Sequence, residues 1–381
     1  MPRSGWVKPA SGDRLSDRIS VGVLTRVFPP ALVDEVVAAA GRAERRQRLL
    51  PARLVVYYVL ALALFSDASY EEVMRQLTEG LAWSSSWRRE IRVPDKAAIA
   101  RARERLGVEP LRLLFDAVAG PLATSATKGA FYREWRLVSL DGTCLDVADT
   151  PENAAALSRP GSNRRVGGGA FPQLRLVALC ESGTNALMKV ALGPYSTGER
   201  RLAEGLLGGL EKGMLCLADR GLYSLERFQA ARSGGAEVLW RAPANMRLAR
   251  ERELEDGSYL STVRSSSLPY RKRPPPAVVR VIEYRLEGST EPSYRLLASI
   301  LEPERAPATE LAALYAQRWE VENALDELKT HQRGPRVVLR SKTPDGVYQE
   351  AYGYLLTHYA IRHLMHEAAL AADLDPCPGT P

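Results

Sequence analysis

Three features of the chain predict an α/β fold with a β-rich insertion, preceded by an all-α N-terminal domain. Residues 17–125 carry apolar side chains at helical spacing with intervening turns. From Glu134 the pattern changes to short β-rich runs alternating with helical stretches, the mark of an α/β core. Residues 237–305 break that alternation with consecutive strand-like runs, and a long helical pattern then resumes near Thr309.

In the N-terminal domain, helices are expected around Leu24–Ala40, over the apolar run Leu54–Phe65, at Tyr70–Thr78 and at Asp95–Leu106, the last stopped by Gly107. The run at 54–65 falls short of the roughly 20 residues that a bilayer requires, so it predicts a buried helix and no membrane partner. No secretory signal is expected, because Met1–Lys8 leads into no apolar segment. The first part of the core, 130–236, gives strands at Trp135–Leu140, Gln173–Cys180, Ala186–Leu192 and Met214–Ala218, with helices at Glu199–Glu211 and Ser224–Arg232. The insertion gives strands at Glu237–Arg241, Ser258–Val263, Ala277–Tyr284 and Ser293–Leu301. The second part, 306–370, gives one helix from about Thr309 to Arg333, closed by Gly334-Pro335, and a last helix over about Gly346–Ala372. Residues 1–16 and 371–381 remain as tails.

At 381 residues with 45% hydrophobic, the chain has material for two or three packed domains and is not a disordered protein. Its 52 Lys+Arg against 45 Asp+Glu leave a net charge of +7, compatible with a polyanionic partner. Basic residues crowd 42–53 (Arg42, Arg45, Arg46, Arg48, Arg53) and 88–105 (Arg88, Arg89, Arg92, Lys96, Arg101, Arg103, Arg105). They recur at Arg271-Lys272-Arg273 and at Arg333, Arg336, Arg340 and Lys342, four patches able to follow a long ligand. Cys144, Cys180, Cys216 and Cys377 lack zinc-ligand spacing and lie mostly in apolar runs, which predicts free thiols in a reducing, cytoplasmic setting.

The chemistry concentrates in three places. Leu140-Asp141-Gly142 and Ala218-Asp219-Arg220 each place an aspartate where a strand is expected to leave the sheet, the usual position of ligand groups in α/β folds. Tyr315, Arg318, Glu322 and Lys329 fall within about 60° of one another at 100° per residue, beside an apolar stripe of Leu314, Val321, Leu325 and Leu328. Two strand carboxylates and a helix carboxylate form a hard-oxygen set suited to Mg²⁺ or Mn²⁺, and a pair of such ions steadies both oxygens of a phosphoryl transfer. Asp326, only about 40° from Glu322, is a rival ligand on geometry alone.

These residues resemble the signature of the Asp-Asp-Glu transposases of the bacterial insertion-sequence-four family: Asp141-Gly-Thr, Asp219-Arg-Gly, and Tyr315, Arg318, Glu322 and Lys329 at the family's spacings. Asp149-Thr-Pro-Glu-Asn153, Ala102-Arg-Glu-Arg-Leu-Gly107 and Leu339-Arg-Ser-Lys-Thr-Pro-Asp-Gly346 are also similar to family segments. The resemblance, over roughly residues 17–370, implies a ribonuclease-H-like catalytic core. It implies that Asp141, Asp219 and Glu322 hold two Mg²⁺ ions, with Mn²⁺ as a substitute, in cleaving and joining DNA. Tyr315, Arg318, Lys329 and Arg220 would bind phosphates, and the basic N-terminal domain would bind terminal inverted repeats of double-stranded DNA, with a homodimer in the synaptic complex. The expected setting is the bacterial cytoplasm, at the nucleoid.

The same resemblance selects Glu322 over Asp326 and leaves Asp146 and Asp149 supporting roles. Trp240 has two readings, a platform for a flipped base or a core residue, whereas Trp319 is expected to pack. His358, His363 and His366, with Glu367, are expected at the surface or an interface, and Gly167-Gly-Gly169 at a loop tip. Relatives continue further beyond the final helix than Asp373–Pro381, so competing expectations are a copy that binds element ends without moving them and a nuclease that cuts without joining.

Overall fold

The computed structural model describes residues 21–46, 48–84, 93–160, 171–265, 269, 271, 273–285, 293–332 and 338–374. Arg88, Arg89, Arg92, Lys272, Arg333, Arg336 and Cys377 lie outside the described residues, as do Gly167–Gly169, the Gly334-Pro335 cap and most of the C-terminal tail. Compactness groups the chain into two units. One comprises 1–119, 145–173 and 326–361, and the other 120–144, 174–325 and 362–381.

The first unit is helical. Its helices are α1 (Val21–Val27), α2 (Pro30–Ala39), α3 (Ala52–Leu64), α4 (Tyr70–Ser84), α5 (Lys96–Leu106), α6 (Glu109–Val118) and α7 (Pro151–Leu157). The single apolar segment expected at Leu24–Ala40 is two helices, because Pro29-Pro30 lacks the N–H groups to continue one and forces the chain extended before it restarts. Asp95 caps α5 by accepting the Ala98 N–H at 2.6 Å, and Gly107 ends it at φ +68°. The apolar run becomes α3, buried along nearly its whole length. Part of the last long helix, α12 (Pro344–Ala371), covers it so closely that a methyl group on Gly353 would lie 2.8 Å from the Val59 carbonyl oxygen. A parallel bridge from Val147 to Leu339 ties the two later segments of this unit together. Among the described residues no helix is long and apolar enough to cross a membrane.

The second unit is built on one mixed sheet. Its strands are β1 (Phe131–Tyr132), β2 (Trp135–Asp146), β3 (Gln173–Glu181), β4 (Ala186–Pro194), β5 (Met214–Ala218), β6 (Glu237–Arg241), β7 (Arg252–Glu253), β8 (Tyr259–Val263), β9 (Ala277–Tyr284) and β10 (Tyr294–Ala298). They lie in the order β4-β3-β2-β5-β6-β10-β9-β8-β7, with β1 paired to β2. β5 pairs in parallel with both β2 and β6, and β3 with β4 antiparallel. Numbering β2 to β6 as 1 to 5, the order is 3-2-1-4-5, the ribonuclease-H-like arrangement that the resemblance implies, with β6, the first strand of the expected insertion, supplying the fifth. The insertion adds its antiparallel strands to the same sheet through β10 on β6.

Alternate residues of the central strands feed two cores. Val138, Leu140, Cys216, Ala218, Val238 and Trp240 face one side, where α9 (Leu225–Arg232) contributes Phe228, and α8 (Glu199–Glu204) contributes Ala203. Leu137, Leu215, Leu217 and Leu239 face the other, against α10 (Ala308–Leu314). The helix expected from about Thr309 to Arg333 is a composite: α10, a 3₁₀ turn at Tyr315–Arg318, α11 (Trp319–Asp326) and a π-helical turn at Glu327–Gln332. Its apolar stripe is as expected, with Leu314, Val321, Leu325 and Leu328 all buried.

Candidate active site

Strand register places the first two acids. In the parallel pair β2–β5, Leu140 lies opposite Ala218, so Asp141 and Asp219 come next on neighbouring strands. β2 does not end at Asp141, as expected, but runs on to Asp146, so only Asp219 stands at a strand terminus. On the other side of β5, Ala218 lies opposite Trp240, which brings Arg241 alongside Asp219 with Nη1–Oδ1 at 3.8 Å.

The composite helix supplies the rest. The Tyr315 hydroxyl is buried and donates to the Ala218 carbonyl at 3.2 Å, which pins the helix to the residue before Asp219. Burial pushes this phenol above its ordinary range. Tyr315 therefore anchors the helix rather than offering its hydroxyl to solvent. The Arg318 side chain is only 8% exposed, and its Nη1 lies 2.8 Å from Glu322 Oε1 and 3.8 Å from Asp141 Oδ2. Its guanidinium also lies over the rings of Tyr315 and Trp319, at 5.9 and 5.0 Å.

Of the three site acids Asp141 is the most removed from water, its side chain 22% exposed against 37% for Asp219 and 36% for Glu322. Burial pushes its carboxyl up to about 6, against the pull of the Gly142 N–H and the Arg318 charge, while Glu199 and Glu322 raise it further. That is an excess of negative charge in a partly dehydrated place, and a guanidinium stands where a cation is wanted. Among the described residues no three acids converge closely enough to hold a metal in this arrangement, because Arg318 occupies the space between two of them. The donor set itself, hard carboxylate oxygens with one desolvated member, fits a divalent cation.

Other sequence expectations fall out differently. Trp240 is fully buried, edge-to-face with Phe228 at 5.9 Å, so of its two readings the core one holds, and its ring is not available to stack on a base. Trp319, expected to pack, is 60% exposed, because the inward stripe of α11 passes through Val321 and Leu325 instead. Arg220 is exposed on the turn after β5. Lys329, on the π-helical turn, and Asp326, which is exposed, belong to the other compact unit. Asp149 pairs with Arg159, and Asp146 accepts from the Gln173 amide at 2.8 Å, so both have partners of their own. His358 and His366 are buried, contrary to a surface placement, since the final helix turns them inward; His366 meets the Thr127 hydroxyl at 2.8 Å. Among the described residues Cys144, Cys180 and Cys216 form no disulfide. Arg42, Arg45, Arg46, Arg48 and Arg105, from two of the basic patches, line one surface cavity of the helical unit.

Sequence reasoning missed Arg241 and Glu199. Arg241 becomes visible once β6 is set in register beside β5, and Glu199 once the Gly198-Glu199 helix start is placed after β4.

A ribonuclease-H-like sheet with neighbouring aspartates on two parallel strands and an arginine–glutamate helix beside them defines the class as the transposase type of α/β fold. Sequence comparison places the chain within that class. Residues 18–116 match the family described as insertion element 4 transposase N-terminal, and residues 134–359 match the transposase DDE domain. The chain belongs to the insertion-sequence-four family of DDE transposases. It is 30% identical over 345 residues to the transposase InsG for insertion sequence element IS4 of Escherichia coli K12, covering 89% of this chain and 75% of that one. InsZ of the same organism is 24% identical over 229 residues, 59% of this chain and 72% of its own. Among solved structures, a cryo-EM piggyBac transposase synaptic complex with hairpin DNA is similar at TM-score 0.48 and 12% identity, over 94% of this chain and 78% of that chain.

Proposed function

We propose that this insertion-sequence transposase binds the terminal inverted repeats of its element and cleaves and joins DNA through Asp141, Asp219 and Glu322. The observation that carries the proposal is the register of β2 and β5, which sets Asp141 beside Asp219, with Arg318, paired to Glu322, 3.8 Å from Asp141. The three carboxylates would hold divalent ions, Mg²⁺ or Mn²⁺, which supply an activated hydroxyl and steady the leaving oxygen. Arg318 would exchange its carboxylate partners for the phosphate beside the scissile bond, with Arg220 and Lys329 as further phosphate contacts. Tyr315 would keep the helix in place, and Arg241 would hold Asp219 toward the site.

In this reading the helical segment 17–125 carries DNA recognition, with its arginine-lined cavity on the phosphate backbone. Segments 130–236 and 306–370 form the catalytic core and 237–305 the insertion. Two copies bring the two element ends together for cut-and-paste movement.

The test incubates the purified chain with Mg²⁺ and labelled DNA carrying the flanking inverted repeat, beside Glu322→Ala. Metal-dependent nicking at the repeat boundary, lost in the variant, supports the proposal. Specific binding without cleavage in the wild type would make the chain an end-binding protein, and nicking with no strand-transfer product would make it a nuclease.

A further inference from the structure

We infer that Glu199 is a fourth carboxylate of the phosphoryl-transfer site, placed to bear on the same divalent cation as Asp141. This rests on the proposed function and adds to it a residue that the signature does not contain.

Glu199 opens α8, after Gly198 as N-cap. Its side chain reaches back over the backbone next to Asp141: a methyl group on Gly142 would lie 3.0 Å from both its Cγ and its Oε1. The missing side chain at Gly142 thus makes room for the Glu199 carboxylate.

Among the described residues nothing neutralises it. Among the described residues Glu199 makes no hydrogen bond or ion pair, although two arginines follow it. Arg200 donates instead to the Gly221 carbonyl at 2.6 Å, and Arg201 lies 3.7 Å from Glu204. The cation within the cluster is Arg318, nine-tenths buried, with Nη1 on Glu322 and Asp141 while its buried Nε has no partner. Asp141, Glu199 and Glu322 together set three negative charges against that one guanidinium. A surplus of two charges, with a buried arginine donor still unsatisfied, is the balance that a divalent cation and a phosphate oxygen would restore together.

The experiment measures Mn²⁺ binding to the full chain with inverted-repeat DNA present, by electron paramagnetic resonance, for wild type, Glu199→Gln, Glu199→Asp, Gly142→Ala and Glu322→Gln. Glu199→Gln is expected to weaken Mn²⁺ binding roughly tenfold or more, as loss of an acid supporting a metal commonly does. Glu199→Asp is expected to recover part of it, and Gly142→Ala to mimic the loss by pushing the carboxylate aside. Melting curves that match wild type would separate this from misfolding. If Glu199→Gln binds Mn²⁺ as wild type does while Glu322→Gln does not, Glu199 has no part in the site and the inference is overturned. If wild type and Glu322→Gln bind Mn²⁺ alike, the underlying reading of the site fails, and the inference falls with it.

Discussion

Removing the Asp256 carboxylate is expected to loosen the helix that carries Glu322, by an amount the structure lets one calculate. Arg280 is fully buried on β9, where its guanidinium pairs with Asp256, donates from Nε to the Ser258 hydroxyl at 2.8 Å and from Nη1 to the Ala306 carbonyl at 2.7 Å. The same Asp256 accepts the Ala308 N–H at 2.7 Å, at the first residue of α10. Asp256→Ala strands a buried guanidinium, which costs about 3–5 kcal/mol, and also strips a partner from a helix start. At about 2–4 °C per kcal/mol for a unit of this size, melting should fall by roughly 6–20 °C.

Burial opposes ionisation of Asp256, but the Ser258 and Ala308 hydrogen bonds and the Arg280 charge outweigh it and hold the carboxyl below its ordinary value. A folded-state pKa below the unfolded one means the stabilisation is complete above about pH 4 and is lost as the pH falls through the lower folded value. Thermal melts of wild type, Asp256→Ala and Asp256→Asn from neutral pH downward give the measurement. A loss under 1 kcal/mol in Asp256→Ala, or an unchanged acid slope in Asp256→Asn, would refute the reasoning.

The other predictions concern the site and its surroundings. Tyr315→Phe leaves the Ala218 carbonyl without its buried donor, so a loss of about 1–3 kcal/mol in denaturant unfolding is expected, with slower nicking; unchanged stability would mean the hydroxyl does not anchor the helix. Trp240→Ala should cost about 3–5 kcal/mol, whereas Trp319→Ala, exposed, should stay within about 0.5 kcal/mol, and the reverse order in unfolding curves would contradict the placement of both rings. Asp219→Asn should abolish nicking, while Asp149→Ala, whose partner Arg159 is at the surface, should leave both nicking and melting temperature as they are. Loss of nicking in Asp149→Ala would move the acid set toward that residue.

The sheet was largely legible because its strands announce themselves locally. Met214–Ala218, Glu237–Arg241 and Ala277–Tyr284 are apolar or alternating runs whose boundaries the structure repeats. Asp219 was legible for the same reason, standing where such a run stops, and Asp141 because it follows the apolar part of β2, although that strand runs on to Asp146. What sequence spacing does not carry is long-range pairing. The bridge from Val147 to Leu339 joins segments 145–173 and 326–361, and both group with the N-terminal helices, which chain order hides. Arg241 needed the register of β6 on β5, and Glu199 needed the open space at Gly142. The two tryptophans were hard for a local reason. Trp240 sits on a strand covered on both faces, where alternation is silent, and Trp319, just after a change of helix type, lies on the outward side of a helix whose inward stripe runs through Val321 and Leu325.

That change of helix type has a reach of its own. A 3₁₀ residue advances about 2.0 Å and an α-helical one about 1.5 Å, so a four-residue 3₁₀ turn extends the helix by ~2 Å. This is about the length of one Mg–O bond. The turn at Tyr315–Arg318 is thus a spacer upstream of Glu322, and relaxing it to α-helix would shift the glutamate along the helix axis by about that length with no residue replaced. Backbone pitch thus sets where the Glu322 carboxylate stands, as much as the residue itself does.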